Sequence, residues 1–328
     1  MRIAVLGGGS WGTALAAHLV RCGHDVRLWM RDQGLADRIR LEAESPAYLP
    51  GVRLPEGIGA TTDLAAAAAG AEVVLVVIPS AYCREVYRRL PALLRPGALL
   101  VSATKGIETD SLCRMSEVAA VEAPGHPMAV VSGPSFALEV AQQQPTAVVV
   151  ASAEPSAAVA LQRALSSRTF RAYTSDDVVG AELAGALKNV IAIAAGIIDG
   201  LGYGSNTVAA LVTRGLAEIT RLAVALGGRA DTLAGLAGLG DLVLTCTGGL
   251  SRNRSLGQSL GRGRRLDDAL GETRMVAEGV RTTLAACALA QRAGIEMPIA
   301  AQMRAVLYEG KAPRQAVDEL MLRSLKRE

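Results

Sequence analysis

At 328 residues the chain exceeds the roughly 100–200 residues of one ordinary domain, so it reads as two domains with room for a sizeable core. Half of its residues are hydrophobic but only 3% are aromatic, so that core is built from Ala, Val, Leu and Ile in helix and strand packing. With 34 basic against 31 acidic residues the formal charge is +3, a near-balance that argues against a nucleic-acid binder but leaves room for a local anion site.

The first predicted strand is Arg2–Leu6, whose apolar run is too short for a signal peptide and is followed at once by glycines. A helix over Thr13–Arg21 and a strand over Asp25–Trp29 come next. Further strands are predicted at Glu72–Ile78, Ala98–Ala103, Met128–Ser132, Thr146–Ala151 and Thr169–Tyr173, alternating with Ala-rich helical stretches. Most are too apolar to have a wet face, which predicts an α/β fold with a mostly parallel, doubly wound sheet covered by helices on both sides. Beyond about Ser175 the β signal stops, and Ala/Leu-rich helices with glycine-rich joints (200–204, 235–240, 248–249, 261–263) fill the chain. The expected domains are a dinucleotide-binding Rossmann domain over 1–178 and an all-helical substrate-binding and catalytic domain over 179–328. The basic end from Arg323 to Arg327 is read as a solvated helix terminus.

No stretch offers about 18 uncharged apolar residues for a membrane span, the nearest being Val190 to Ile198, which Asp199 interrupts. The five cysteines are scattered without CxxC or Cys/His spacing, so no metal site is expected and a reduced, cytoplasmic protein is.

Gly7-Gly8-Gly9-Ser10-Trp11-Gly12 fits G-x-G-x-x-G directly after a strand and before a helix, the context that turns a weak pattern into a dinucleotide fingerprint. Gly7 allows the tight turn, Gly9 lets backbone approach a pyrophosphate, and Gly12 lets helix and strand pack closely. Free amides at the helix start then face the phosphate charge. Where an NAD-specific enzyme places an acid for the ribose 2′-hydroxyl, this chain has Arg31, followed by Asp32. An arginine fork suits a 2′-phosphate, so NADP is expected as the preferred cofactor with NAD accepted; the bland alternative is an exposed loop arginine.

Hydride chemistry on an alcohol needs a proton donor and acceptor. His18 lies inside the first helix, His24 in a turn and His126 in a Pro/Gly loop, so none is well placed. A Tyr-x-x-x-Lys pair and metal ligands are missing. Two lysines stand out by position: Lys105 at the carboxyl end of the strand Ala98–Ala103, and Lys188 within the apolar stretch Leu183–Ile198. Desolvation among apolar neighbours would lower the Lys188 pKa toward the range of a base; a snorkelling side chain at a helix edge is the other possibility. Ser251-Arg252-Asn253, after Gly240-Asp241, combines a charged fork with neutral donors and suits a phosphate or carboxylate, unless it is a polar surface loop.

With these motifs in hand the chain resembles the bacterial-type NAD(P)-dependent glycerol-3-phosphate dehydrogenases from end to end. Residues 7–12, 104–108 (TKGIE), 132–137 (SGPSFA), 187–189 (LKN), 238–242 (GLGDL), 251–253 (SRN) and 278–279 (EG) carry the resemblance in that order. It implies a Rossmann domain followed by a helical domain like that of 6-phosphogluconate dehydrogenase, with the active site between them. The implied reaction is reversible hydride transfer between NAD(P)H and dihydroxyacetone phosphate, giving sn-glycerol 3-phosphate for phospholipid synthesis. The resemblance implies Lys188 as general acid/base, Lys105 as its cationic neighbour touching cofactor and substrate, and Asp241 as an orienting carboxylate. Gly133, Ser135, Ser251, Arg252 and Asn253 are implied to bind the phosphorylated substrate along with Lys105, Lys188 and Asp241. Ser10, Trp11, Arg31, Tyr48, Lys105, Ala137, Arg252, Val276 and Glu278 are implied to hold the cofactor. A homodimer is implied as well. The rivals are another β-hydroxyacid-type dehydrogenase, which the phosphate-suited cluster at 251–253 disfavours, and a non-catalytic dinucleotide sensor, which fold alone would not exclude.

Overall fold

The structure, a computed structural model, describes residues 1–271 and 277–325. Two compact units form: Met1–Lys105 with Cys113–Glu182, and Gly106–Leu112 with Leu183–Glu328. The second unit thus takes in a short segment from the middle of the first, which a single division of the chain does not capture.

The first unit holds an eight-stranded sheet of β1 (Arg2–Leu6), β2 (Asp25–Trp29), β3 (Gly59–Thr61), β4 (Val73–Val76), β5 (Leu99–Ser102), β6 (Met128–Ser132), β7 (Thr146–Ala151) and β8 (Phe170–Ser175). Their order is β3-β2-β1-β4-β5-β6-β7-β8. All neighbours are parallel except β6 and β7, so the last two strands run opposite to the other six. Alternation along β1 divides the core: Ile3 and Val5 join one apolar cluster and Ala4 and Leu6 the other, one on each face of the sheet. Around the sheet lie α1 (Ser10–Arg21), α2 (Gln33–Glu42), α3 (Leu64–Ala68), α4 (Cys83–Arg89), α5 (Met115–Glu122), α6 (Ala137–Ala141) and α7 (Pro155–Leu165). The sheet order reverses at β1, and in such folds the crevice at that switch point is where ligands bind.

Helix α8 (Val178–Gly200) leads into the second unit, which continues with α9 (Ser205–Ala225), α10 (Ala230–Ala234), a π-helical turn at Leu236–Gly240, α11 (Asp241–Thr247), α12 (Arg252–Gly261), α13 (Leu266–Gly271), α14 (Glu278–Ala293), α15 (Pro298–Tyr308) and α16 (Pro313–Met321). Among the described residues no strand follows Ser175. Helix α8 is the one described helix long and apolar enough to cross a membrane, and its apolar window is wholly buried within the protein.

Glycines let the neighbouring helices close on α8. A Cβ on Gly196 or Gly200 of α8 would lie 2.0 Å from the Arg254 carbonyl oxygen or 2.4 Å from that of Gln258, both on α12. Conversely, a Cβ on Gly257 or Gly261 of α12 would lie 2.0 Å from the Ile193 oxygen or 2.5 Å from the Ile197 oxygen. The two helices therefore meet backbone to backbone through paired small residues four apart. At the far end Asp199 accepts from Arg254 at 2.8 Å and from Gln258, which fixes the register. Gly215 of α9 makes room for the Ile191 side chain, and Gly279 of α14 meets the Asn189 carbonyl.

Glu218 of α9 is buried and caps α15, accepting from the Ile299 amide at 2.8 Å. Burial raises its pKa from 4.5 to about 7, against the lowering effect of the amides. The folded state therefore holds a proton between pH 4.5 and 7 that the unfolded chain has released, so this group's contribution to stability falls as pH rises through that window. Urea unfolding at pH 5 and pH 8 should show native protein losing ~2–3 kcal/mol more than Glu218→Gln over that interval. Equal losses would remove Glu218 from the pH dependence.

Candidate active site

The glycine loop at the end of β1 meets two different demands. Gly7 turns at φ +132°, and a Cβ there would lie 2.3 Å from the Val77 carbonyl oxygen. A Cβ on Gly12, inside α1, would lie 1.8 Å from the Gly7 oxygen, so helix and strand are packed to the backbone. A Cβ on Gly9, by contrast, would meet nothing within 4 Å among the described residues. Helix α1 starts at Ser10 with no side-chain cap from Gly9 and no acid in its first turn, so its own residues leave the positive helix end for an anion. Trp11 is half-buried against the sheet's core, and its indole N–H is buried without a hydrogen-bond partner among the described residues. Open space over Gly9, an uncapped helix start and an orphaned donor fit a dinucleotide pyrophosphate.

Two residues past β2, Arg31 is exposed with its guanidinium 5.5 Å from the centre of the Tyr82 ring. Asp32, the acid next to it, is the N-cap of α2 and accepts from the Leu35 amide at 3.0 Å. Its side chain is thereby engaged in holding the helix rather than standing open for a ribose. Tyr48 is half-buried against the same core cluster as Trp11.

At the carboxyl ends of β5 and β6, three predicted residues come together. The Lys105 ammonium donates to the Gly133 carbonyl at 2.9 Å, and the Ser135 hydroxyl donates to the same oxygen at 2.9 Å. Gly133 holds φ +132°, with a hypothetical Cβ 3.1 Å from the Val148 Cα, so a side chain there would be both strained and crowded. Ala137 opens α6, half-buried against the core.

In the second unit Lys188 is buried on α8, its ammonium 2.9 Å from the Asp241 carboxylate and 2.5 Å from the Thr245 hydroxyl. Side-chain exposure is 8% for Lys188 and 1% for Asp241, so this is an ion pair in the interior, where each charge depends on its partner. Thr245 donates in turn to the Asp241 carbonyl at 2.6 Å. The apolar setting expected of Lys188 thus comes with a counter-ion, and it is not a snorkelling side chain. Thr245 was not among the residues expected from sequence; its signal is the i, i+4 spacing from Asp241, which puts both on one face of α11. Burial pushes the neighbouring Cys246 thiol up to about 12, so it stays protonated beside the lysine charge.

Ser251, Arg252 and Asn253 form the start of a helix rather than a loop. Ser251 is the buried N-cap of α12, accepting from the Arg254 amide at 3.2 Å. Asn253 is buried, donating to Asn189 of α8 at 3.0 Å and accepting from the Gly279 amide at 3.0 Å. Arg252 is open to solvent yet hemmed in by protein; that desolvation lowers its pKa, and the Glu278 carboxylate opposes the shift. Glu278 begins α14. Val276 lies outside the described residues.

All three histidines are tied to main-chain carbonyls: His18 to Leu165 at 2.7 Å, His24 to Ala164 at 3.0 Å and His126 to Ala98 at 3.0 Å. None of the five cysteines is in a disulfide, and among the described residues no group of three His, Cys, Asp or Glu is placed to hold a metal.

A doubly wound sheet with an open glycine loop, followed by a helical unit carrying a buried lysine–aspartate pair, defines a two-domain Rossmann dehydrogenase. The family models described as the NAD-dependent glycerol-3-phosphate dehydrogenase N-terminus and C-terminus match residues 2–158 and 177–318. The glycerol-3-phosphate dehydrogenase, NAD(P)+, of Geobacter sulfurreducens is 53% identical over 100% of this chain and 98% of its own. That of Syntrophotalea carbinolica is 54% identical over 100% and 99%. The crystal structure of glycerol-3-phosphate dehydrogenase from Coxiella burnetii matches with a TM-score of 0.95 at 45% identity, covering 98% of this chain and 99% of that one. The chain belongs to the NAD-dependent glycerol-3-phosphate dehydrogenase family.

Proposed function

We propose that the chain reduces dihydroxyacetone phosphate reversibly to sn-glycerol 3-phosphate with NAD(P)H, supplying glycerophospholipid synthesis from the cytoplasm. In a chain of this family, the buried Lys188–Asp241 pair with Thr245 is the observation that carries the proposal. Bound NADPH or NADH supplies hydride to the substrate's C2 carbonyl carbon. Lys188 donates a proton to the oxygen developing negative charge there, and takes it back in the reverse direction. Asp241 and Thr245 hold the ammonium in place, and Lys105 adds positive charge against the forming alkoxide.

Arg252 takes the substrate phosphate with its planar fork, helped by Ser251 and Asn253, while Gly133 and Ser135 complete the substrate contacts. The loop Gly7, Gly9, Ser10, Trp11 and Gly12 takes the pyrophosphate, and Tyr48, Lys105, Ala137, Arg252, Val276 and Glu278 hold the rest of the cofactor. Arg31 pairs with a ribose 2′-phosphate, so NADP is preferred and NAD accepted. The working form is a homodimer.

The test is oxidation of NADPH, followed at its absorbance band, with dihydroxyacetone phosphate and then with small unphosphorylated keto acids or aldehyde acids. Dihydroxyacetone phosphate should give the highest kcat/KM, and NADPH should exceed NADH. A higher kcat/KM for an unphosphorylated acid would overturn the substrate.

A further inference from the structure

Strands β2 and β4 flank β1 on its two sides, so the segments leaving their carboxyl ends border the glycine loop from opposite directions. Arg31 leaves β2; Tyr82 closes the short 3-10 turn Ser80–Tyr82 that follows β4. The Arg31 guanidinium lies over the Tyr82 ring, its central carbon 5.5 Å from the ring centre, within the range of a cation–π contact. Tyr82 is 46% exposed, a large ring left at the surface beside the loop.

Asp32 caps α2 and Asp63 caps α3, accepting from the Ala65 amide at 2.8 Å. Among the described residues Arg31 makes no ion pair. Stacking engages the flat face of a guanidinium and leaves its in-plane N–H donors for an anion. A long side chain already held in one orientation loses less freedom when a ligand arrives.

We propose that Tyr82 is a specificity-determining positioning residue: its ring face holds the Arg31 fork where a ribose 2′-phosphate is received, and so sets the preference for NADPH over NADH. This rests on the pairing of Arg31 with that phosphate.

Tyr82→Ala should lower the NADPH-to-NADH ratio of kcat/KM by about 3-fold to 10-fold, through KM for NADPH rather than kcat. Tyr82→Phe should keep the native ratio, because the ring face is retained. Calorimetric affinity for 2′,5′-ADP should fall by the same factor in Tyr82→Ala while that for 5′-AMP stays as in the native protein. A loss shared equally by both cofactors, or a ratio unmoved by Tyr82→Ala while Arg31→Ala lowers it, would overturn the role of Tyr82. A ratio unmoved by Arg31→Ala would instead remove the 2′-phosphate pairing beneath it. Native-like thermal melts for all three variants exclude a folding effect.

Discussion

Lys188→Met is expected to lower kcat by about 10²–10⁴-fold while the affinity for NADPH stays within a few-fold of native, because in the proposed reaction the lost group moves a proton and does not hold the cofactor. Methionine nearly matches the length of the lysine stem, so packing along α8 survives. The danger lies with Asp241, which is 1% exposed and would lose the buried ammonium that faces it. Breaking such a pair typically destabilises by about 3–5 kcal/mol. The double variant Lys188→Met with Asp241→Asn removes the carboxylate charge as well and should recover much of the stability but none of the turnover. Steady-state assays with fluorescence titration of NADPH read the two quantities separately. A kcat within tenfold of native in a folded Lys188→Met protein would dismiss Lys188 as the acid.

Gly257→Ala is expected to destabilise the second unit by about 3 kcal/mol or more and to take activity with it. Two effects compete. Alanine is the better helix former by about 1 kcal/mol in a helix interior. At this position, however, the added Cβ would sit 2.0 Å from the Ile193 oxygen and 2.9 Å from the Gly196 Cα, and neither atom can swing aside as a flexible side chain would. Overpacking commonly costs about 1–3 kcal/mol and exceeds that when backbone must move, so the clash wins. Since Asn253 and Lys188 ride on the two helices being pushed apart, turnover should fall more than stability alone explains. Gly249→Ala is the control, having nothing within 4 Å, and should stay within about 0.5 kcal/mol of native. Urea unfolding that finds Gly257→Ala as stable as native would show that the helices can slide.

Much of the first unit is legible in the chain because its strands are continuous apolar runs between glycines and polar turns. Arg2–Leu6, Asp25–Trp29, Met128–Ser132 and Thr146–Ala151 are found where expected. Strand β3 is not legible, since Gly59-Ala60-Thr61 is too short to show alternation and becomes a strand only by pairing with β2. Nor is the reversed sense of β7 and β8, because direction depends on how the connections cross the sheet and not on the residues within a strand. At the site, Lys188 and Asp241 could be singled out separately, but their contact spans 53 positions and belongs to tertiary packing. Glycines were misleading in one respect. Gly200 and Gly261 read as joints between helices, yet each is the closing residue of a helix and a point of backbone contact with the other.

The π turn at Leu236–Gly240 has a consequence for how α11 is aimed. Its closing bond, from the Gly240 amide to the Gly235 carbonyl at 3.1 Å, encloses one residue more than an α-helical bond would. Each residue advances a helix by about 100°, so that surplus resets the angular phase of everything after it. Asp241 and Thr245 face Lys188 because of this offset, and the glycine at 238, whose Cβ would lie 2.0 Å from the Leu233 oxygen, is what lets the wider turn close. Removing one residue between 236 and 240 would leave the composition of the site intact and point its carboxylate about a quarter-turn away from the ammonium it balances.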